Sequence, residues 1–193
     1  KVKIWSFAQD EADLINNEKK CKFLPNAIIP ENIESTTSYE EAIKGADLIL
    51  QVTPSKFTRN TVRQYKEYVD VKKQPIVVCS KGIEKETAYT LDEVIEEEIL
   101  GARIGALSGP SHAEELGRGI PTTCVIGTKH KKDADYLQNI FMSDVFRVYT
   151  SPDVLGICIG GSLKNVIALA AGIADGLGYG DNTKAALITR GIT

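Results

Sequence analysis

Short apolar runs rich in β-branched residues alternate with helical patterns from residue 2 to about residue 150. The strand-like runs are VKIWSF, DLILQVT, PIVVCS, ARIGALSG, PTTCVIG and VFRVYT. The helical segments between them include ADLINNEKK, SYEEAIKG, FTRNTVRQYKEYV, AYTLDEVIEEEIL and HKKDADYLQNIF. Strands that are apolar over four to six residues, rather than alternating, are typical of parallel sheets covered by helices on both faces. The pattern therefore predicts an α/β fold with a doubly wound, mostly parallel sheet.

The pattern changes after Ser151 and Pro152. The following run, VLGICIGGSLKNVIALAAGIADGLGYG, is rich in glycine and carries two charges, Lys164 and Asp175. About 20 apolar residues would cross a bilayer, but a lysine near the centre of such a span costs roughly 2.5–3.5 kcal/mol. We therefore expect a buried helix of a soluble protein and no membrane span. The sequence predicts a sheet domain over residues 1–150 and the start of an all-helical domain over residues 151–193.

Charge and cysteine usage exclude several classes of protein. The 23 Lys and Arg residues against 26 Asp and Glu residues give a net charge of −3, and the charges are interspersed. This is not the basic field of a nucleic-acid-binding protein, so no nucleic-acid partner is expected. The four cysteines are widely spaced, without a CxxC pair or a nearby histidine. This spacing predicts a reducing compartment and no metal site.

Both ends of the sequence are abrupt. The chain opens directly on the apolar strand KVKIWSF without an initiator methionine, and it stops within the helical pattern ALITRGIT without a capping residue or a helix breaker. We therefore expect this sequence to be a fragment of a longer protein.

Lys164 requires an explanation if its helix is buried, because an unpaired ammonium group loses much of its hydration there. Burial would also lower the pKa of a lysine toward neutrality, as a proton-transfer residue needs. The plainer interpretation is a side chain whose stem covers apolar surface while its ammonium group reaches water. Gly160 and Gly161, one turn earlier, would let another backbone or a ligand approach closely, and Asn165 follows directly. These neighbours favour a functional lysine.

Two loops also carry residues that could bind a ligand. VVCSKGIE places Lys81 and Gly82 just after a buried strand, at the edge where open α/β sheets bind ligands. ALSGPSHAEE places Gly109, Ser111 and His112 after another strand, where Ser111 could cap a helix that begins near His112. A helix N-terminus beside a lysine suits a phosphate group. Taken singly, each loop is better explained by its plainer interpretation, a turn lysine in the first and an ordinary helix cap in the second.

Together these segments resemble the NAD(P)-dependent glycerol-3-phosphate dehydrogenase family. The resemblance covers essentially the whole chain, and its most specific part is GGSLKNVIALAAGIADGLGYGDN. The other matching segments, in order, are WSF, TPSKF, SKGIE, SGPSHAEEL, FRVYTSPDVLGICI and ALITRG. The resemblance implies a Rossmann-like dinucleotide-binding domain followed by a helical substrate domain. It also implies hydride transfer between NAD or NADP and C2 of dihydroxyacetone phosphate or glycerol 3-phosphate.

The resemblance also implies roles for substrate-site residues. Lys164 corresponds to the general acid/base, which protonates the developing C2 alkoxide during reduction and removes that proton during oxidation. Asn165 is expected to help hold the substrate. Lys81 is similar to the family lysine between cofactor and substrate, where its charge would offset the phosphate or polarise the carbonyl. Gly109 and Ser111 correspond to the turn that contacts the substrate.

The expected cofactor contacts are Phe7, Phe57, Lys81 and Ala113, the last through its backbone. Phe7 ends the second strand of a Rossmann domain and Phe57 follows the fourth, where the family packs side chains against the dinucleotide. The alternative for both aromatic residues is packing in the core. An acidic residue at the end of the second strand favours NAD and an arginine favours NADP. WSFAQ offers neither, although its WxF pattern is closer to NAD-using members.

Two of the family's features are missing from the sequence. The GxGxxG turn would lie before residue 1, and an aspartate and an Arg-Asn pair of the substrate site would lie after residue 193. We therefore expect the 193-residue chain to be inactive alone. For the full-length protein we expect a homodimer and a cytoplasmic location. Two alternatives stay open: another dehydrogenase of the same superfamily, of the 3-hydroxyacid or 6-phosphogluconate type, and a non-catalytic dinucleotide-binding module.

Overall fold

The computed structural model describes residues 1–24 and 26–192, so Pro25 and Thr193, the last residue of the expected helical domain, lie outside the described residues. Its strands are β1 (Val2–Trp5), β2 (Ile33–Thr36), β3 (Ile49–Gln51), β4 (Ile76–Val78), β5 (Ile104–Ser108), β6 (Thr122–Thr128) and β7 (Phe146–Ser151). Its α-helices are α1 (Gln9–Asp13), α2 (Tyr39–Ile43), α3 (Thr58–Tyr65), α4 (Leu91–Glu98), α5 (Ala113–Leu116), α6 (Lys131–Phe141), α7 (Val154–Gly176) and α8 (Asp181–Ile192).

The strands form two sheets. β1 pairs with β2 in parallel, and the second sheet has the order β3-β4-β5-β6-β7. Within the described residues, the pairing of β5 with β6 is antiparallel and the other pairings are parallel. The predicted α/β fold with a mostly parallel sheet is therefore confirmed.

β4 lies at the centre of the core because both of its faces are buried. Ile76 and Val78 belong to one apolar cluster, packed with side chains of α3 and α4. Val77, between them, belongs to a second cluster that includes Leu137 of α6. Successive side chains of a strand point to opposite faces, so helices cover the sheet on both sides. This placement leaves the carboxyl end of β4 free to carry a site at the sheet edge.

The sequence did not predict β2. Its residues are IEST, of which Ser35 alone is buried, so the segment carries little of the apolar signal of a strand. Its backbone nevertheless pairs with β1 from Val2↔Ile33 to Trp5↔Thr36. Tertiary pairing therefore decides the structure of this segment, rather than local propensity.

Helix α7 begins and ends with recognisable caps. The Asp153 side chain accepts a hydrogen bond from the Gly156 N–H at 2.8 Å, which stabilises the first turn. At the other end, the Gly178 N–H donates to the Asp175 carbonyl and the Tyr179 N–H to the Ala174 carbonyl, both at 3.0 Å. With Gly178 at a φ of +76°, these bonds form a Schellman motif.

The expectation that α7 is buried is wrong for this chain. Its first turns pack on β5 and β6, but farther along large apolar side chains are exposed, among them Val166 at 61% and Leu169 at 67%. By length and composition α7 is the one helix in the described residues that could cross a membrane, and 11% of its most apolar stretch is buried. These two criteria are a weak indication, because single helices of soluble proteins also satisfy them.

The change from sheet to helices follows directly on β7. β7 ends at Ser151 and α7 begins at Val154. The division into domains at residues 1–150 and 151–193 stays a prediction.

Candidate active site

A cavity of about 950 Å³ opens at the carboxyl ends of β4 and β5. These strands are parallel neighbours, so the loops that follow them meet at one edge of the sheet. The first turns of α7 form the opposite wall. The volume lies within the range of small-molecule sites. The predicted site residues in the lining are Lys81, Gly109, Ser111, Ala113 and Lys164.

The Lys81 loop follows the fully buried strand β4. The Ser80 hydroxyl donates to the Thr53 carbonyl at 2.6 Å, which joins the loops after β3 and β4. The next residue but one, Gly82, donates its N–H to the Ser162 hydroxyl of α7 at 3.0 Å. Lys81 is thus held by bonds on both sides, while its side chain reaches the cavity.

The turn after β5 needs glycine at position 109. Gly109 has a φ of +155°, and a Cβ there would lie 2.8 Å from the Thr123 carbonyl oxygen and 2.9 Å from Cys124 Cα. These are backbone atoms of β6 that cannot move aside. Gly109 has no side chain, so a contact between this residue and a ligand would be made by its backbone. The close approach to β6 is a second reason for glycine at this position.

The prediction that Ser111 caps the next helix is wrong. α5 begins at Ala113 with His112 at the N-cap position, and no side chain caps it. The Ser111 hydroxyl instead approaches the Gly109 carbonyl at 3.4 Å, a weak bond, and it lines the cavity. The serine is consequently available to a ligand.

Lys164 lies on the cavity wall, but it is exposed rather than buried. The ammonium group of Lys164 therefore does not lose its hydration through burial in this chain, contrary to the expectation from the sequence. Within the described residues its ammonium group has no hydrogen bond or ion pair. Asn165 is also exposed and is not part of the lining. Gly160 and Gly161 line the cavity one turn before Lys164, as the sequence predicted for a close approach.

Burial disfavours the thiolate form of the cysteines near the site, because it raises their pKa values. Burial raises the pKa of Cys79 to about 11, although the charge of Lys81 acts in the opposite direction. Burial likewise raises the pKa values of Cys124 and Cys158. In the described residues, no group of three or more His, Cys, Asp or Glu side chains could hold a metal ion. Besides Lys81 and Lys164, the lining of the cavity carries the titratable side chains of His112, Glu114 and Asp153.

The two aromatic residues expected at the cofactor are not in the core. Phe7 is 89% exposed just after β1, and Phe57 is 48% exposed after β3, with the Lys56 ammonium group 4.7 Å from its ring centroid. Neither lines the cavity. Core packing is therefore excluded for Phe7 and Phe57, and their rings are accessible at two strand ends.

Sequence reasoning missed two side-chain hydrogen bonds close to predicted site residues. The Ser6 hydroxyl, directly after β1, donates to the Glu11 carboxylate at 2.8 Å, so an acidic group does reach this strand end. Ser162 joins α7 to the Lys81 loop, 80 residues away. The Ser6–Glu11 bond could have been predicted from the sequence, because a serine is followed five residues later by a glutamate at the start of a helix. No local sequence pattern predicts the bond between Ser162 and Gly82.

Comparison with known proteins identifies the family of this chain. The family model described as NAD-dependent glycerol-3-phosphate dehydrogenase N-terminus matches residues 1–134, and the model of the C-terminus matches residues 153–193. The chain belongs to the NAD-dependent glycerol-3-phosphate dehydrogenase family. This assignment excludes the 3-hydroxyacid and 6-phosphogluconate dehydrogenases as its family.

Relatives in the glycerol-3-phosphate dehydrogenase family are similar over nearly the whole chain. The glycerol-3-phosphate dehydrogenase [NAD(P)+] of Fusobacterium nucleatum is 53% identical over 98% of this chain, and that of Agathobacter rectalis is 52% identical over 99%. A crystal structure of glycerol-3-phosphate dehydrogenase from Coxiella burnetii is 33% identical, with a TM-score of 0.90 over 99% of this chain and 58% of that chain. This chain spans 57% of the length of each of the two curated relatives.

The residues present fit one part of the family's nicotinamide dinucleotide. The exposed rings of Phe7 and Phe57 lie beside the carboxyl ends of parallel strands, where such cofactors bind. Ala113, at the start of α5, lines the cavity that holds both lysines. The 193-residue sequence contains no GxGxxG turn for the pyrophosphate. The residues of this chain would therefore hold the dinucleotide through contacts other than those of a pyrophosphate-binding turn.

Proposed function

We propose that the complete protein transfers a hydride between NAD(P)H and C2 of dihydroxyacetone phosphate, giving sn-glycerol 3-phosphate reversibly. The observation that carries this proposal is the convergence of Lys81, Lys164 and the Gly109–Ala113 turn on one cavity. The family assignment supplies the class of reaction. Two lysines in an open cavity also suit a phosphorylated substrate, because both are cationic.

Lys164 is the general acid/base in this proposal. When bound, the nicotinamide supplies or accepts the hydride at C2 of the substrate. As a carbonyl is reduced, negative charge develops on its oxygen, and the Lys164 ammonium group donates a proton there. In the oxidation direction the neutral amine removes the proton from the C2 hydroxyl. The exposure of Lys164 in this chain keeps its side chain free to reach such an atom.

Lys81 and the turn after β5 position the substrate. The Lys81 cation offsets the substrate phosphate or polarises the C2 carbonyl, and the Ser111 hydroxyl and the Gly109 backbone contact the same molecule. Asn165 follows Lys164 and helps hold the substrate from α7. These assignments are supported by the shared lining of the cavity for Lys81, Gly109 and Ser111. For Asn165 they depend on the family resemblance.

The cofactor lies across the ends of β1 and β3 in this proposal. Phe7 and Phe57 pack against it, and the Lys81 side chain and the Ala113 backbone contact it at the nicotinamide end. The Ser6 hydroxyl holds the Glu11 carboxylate at 2.8 Å near the end of β1, and an acidic group near this strand end favours NAD, because it can accept from the ribose 2′-hydroxyl and repels a 2′-phosphate. We therefore infer a preference for NAD over NADP.

A steady-state assay on the complete protein tests this function. Dihydroxyacetone phosphate should be reduced with NADH, and kcat/KM should be lower with NADPH. A 3-hydroxyacid and 6-phosphogluconate serve as comparison substrates for oxidation, and neither should turn over. Nucleotide binding without any reduction of dihydroxyacetone phosphate would contradict the proposal and indicate a non-catalytic module.

A further inference from the structure

The loop that carries Lys81 is fixed between two neighbouring elements. On one side, a Cβ at Gly82 would lie 2.6 Å from the Ser55 hydroxyl oxygen and 2.7 Å from Ser55 Cβ, so the loop backbone lies directly against Ser55. On the other side, the Gly82 N–H donates to the Ser162 hydroxyl of α7 at 3.0 Å. The position of Lys81 therefore depends on its contact with α7.

The Ser162 hydroxyl is oriented for this contact. It donates its single hydrogen to the Cys158 carbonyl, one turn earlier in α7, at 2.7 Å. Because that hydrogen is used, the oxygen lone pairs face outward and accept from Gly82. Ser162 is partly buried, so the bond is shielded from competing water.

A second contact brings α7 against the Lys81 side chain itself. A Cβ at Gly161 would lie 2.8 Å from the Ser108 hydroxyl oxygen and 3.5 Å from Lys81 Cγ. The helix backbone at Gly161 thus lies close to the end of β5, and the aliphatic stem of Lys81 is near enough to contact any side chain placed at this position. The end of β5, the Lys81 loop and α7 are far apart in the sequence, and they come together at residues 161 and 162 of α7.

We propose that Ser162 is a positioning residue that holds the Lys81 loop against the turn of α7 that carries Lys164, and so fixes the two lysines relative to each other. The proposal rests on the roles of Lys81 and Lys164 in the proposed function. Ser162 does not line the cavity, so it touches neither substrate nor cofactor. Its effect on the reaction passes through Lys81.

The first test replaces the hydroxyl in the complete protein. Ser162→Ala keeps Cβ and removes one neutral hydrogen bond, so kcat/KM for dihydroxyacetone phosphate should fall about 5-fold. Ser162→Thr keeps the hydroxyl and should restore kcat/KM to within about 2-fold of the wild type. A purely structural role would instead lower the melting temperature of Ser162→Ala and leave kcat/KM unchanged, which would overturn the proposal.

A double-mutant cycle with Lys81→Met identifies the route of the effect. If Ser162 acts through Lys81, adding Ser162→Ala to Lys81→Met should lower kcat/KM no further. Multiplicative losses from the two substitutions would overturn the proposal, because they would show that Ser162 acts independently of Lys81.

A binding-independent measurement separates this proposal from the proposed function. Amide hydrogen exchange of the segment 80–84 should become about 5-fold faster in Ser162→Ala, since the Gly82 N–H loses its acceptor. Unchanged exchange would contradict the proposed role of Ser162 even in an active enzyme. Absence of dihydroxyacetone phosphate reduction by the wild type, with faster exchange in the variant, would contradict the proposed function alone.

Discussion

At the scale of single residues, the cavity is lined by residues from loops and a helix that are far apart in the sequence. Lys81, Gly109 and Ser111 follow strands that are recognisable by composition, and parallel strands bring their loops together. The exposure of Lys164 was not predictable, because it depends on what packs against α7. The bond between Ser162 and Gly82 links residues 80 positions apart, which local patterns do not report.

An ion-pair cluster beside the Lys81 loop predicts acid-sensitive stability. Arg59 binds Glu84 through two hydrogen bonds of 2.8 and 2.7 Å, and it also binds Glu98 at 2.8 Å. The bond from Arg59 lowers the pKa of Glu84 from 4.5 to about 2. A folded-state pKa below the unfolded value stabilises the fold above about pH 4.5, and this contribution is lost as the pH falls toward 2.

Glu84→Gln should therefore lower the free energy of unfolding by about 2 kcal/mol at pH 7, with a smaller difference at pH 3. Urea denaturation at both pH values measures this. Glu97→Gln is the matched control, because Glu97 pairs with the same Arg59 at 2.6 Å but its side chain is 51% exposed. Its loss should be under about 1 kcal/mol. Equal losses for the two variants would show that burial of the Arg59–Glu84 pair has no effect.

At the scale of elements, strands with continuous apolar runs were predicted well and weakly apolar ones were not. β4 is apolar throughout and buried on both faces, so its sequence alone identifies it. β2 has a single apolar residue and depends on pairing with β1. The antiparallel direction of β6 was also unpredictable, because strand direction depends on tertiary connection rather than on composition.

The N-cap of α7 predicts a stability difference between two substitutions of Asp153. Asp153→Ala removes the acceptor for the Gly156 N–H and should lower the free energy of unfolding by about 1 kcal/mol. Asp153→Asn keeps an acceptor of similar capping strength and should change it by only a few tenths of a kcal/mol. Thermal or urea denaturation of the complete protein compares them. Equal destabilisation by alanine and asparagine would show that the carboxylate has a role other than capping.

At the scale of the whole molecule, the chain belongs to the NAD-dependent glycerol-3-phosphate dehydrogenase family and spans 57% of the length of the relatives from Fusobacterium nucleatum and Agathobacter rectalis. The activity, the substrates, a homodimeric assembly and a cytoplasmic location are proposals for the complete protein. Light scattering coupled to size-exclusion chromatography measures the assembly. A mass of two chains would support the homodimer and a mass of one chain would contradict it. Neither result changes the proposed chemistry of the cavity.

The exposed apolar surface of α7 leads to a prediction about membranes. Lys164 lies near the middle of the helix, where a charge would be costly in a bilayer. Gly161 lies close to Ser108 of β5, and a bilayer-spanning helix would lose this contact. We therefore expect the complete protein to remain in the supernatant after ultracentrifugation without detergent. Sedimentation with membranes, reversed by detergent but not by high salt, would contradict this expectation.

The most direct measurement of the central claim is kcat for NADH-linked reduction of dihydroxyacetone phosphate by the complete protein and its Lys164→Ala variant. Loss of the acid/base should lower kcat by about 10²–10⁴-fold, while the dissociation constant for NADH stays within about 3-fold. Lys132→Ala, at an exposed lysine of α6 away from the cavity, is the control and should keep the wild-type kcat. A Lys164→Ala variant with kcat within a few-fold of the wild type would contradict the account.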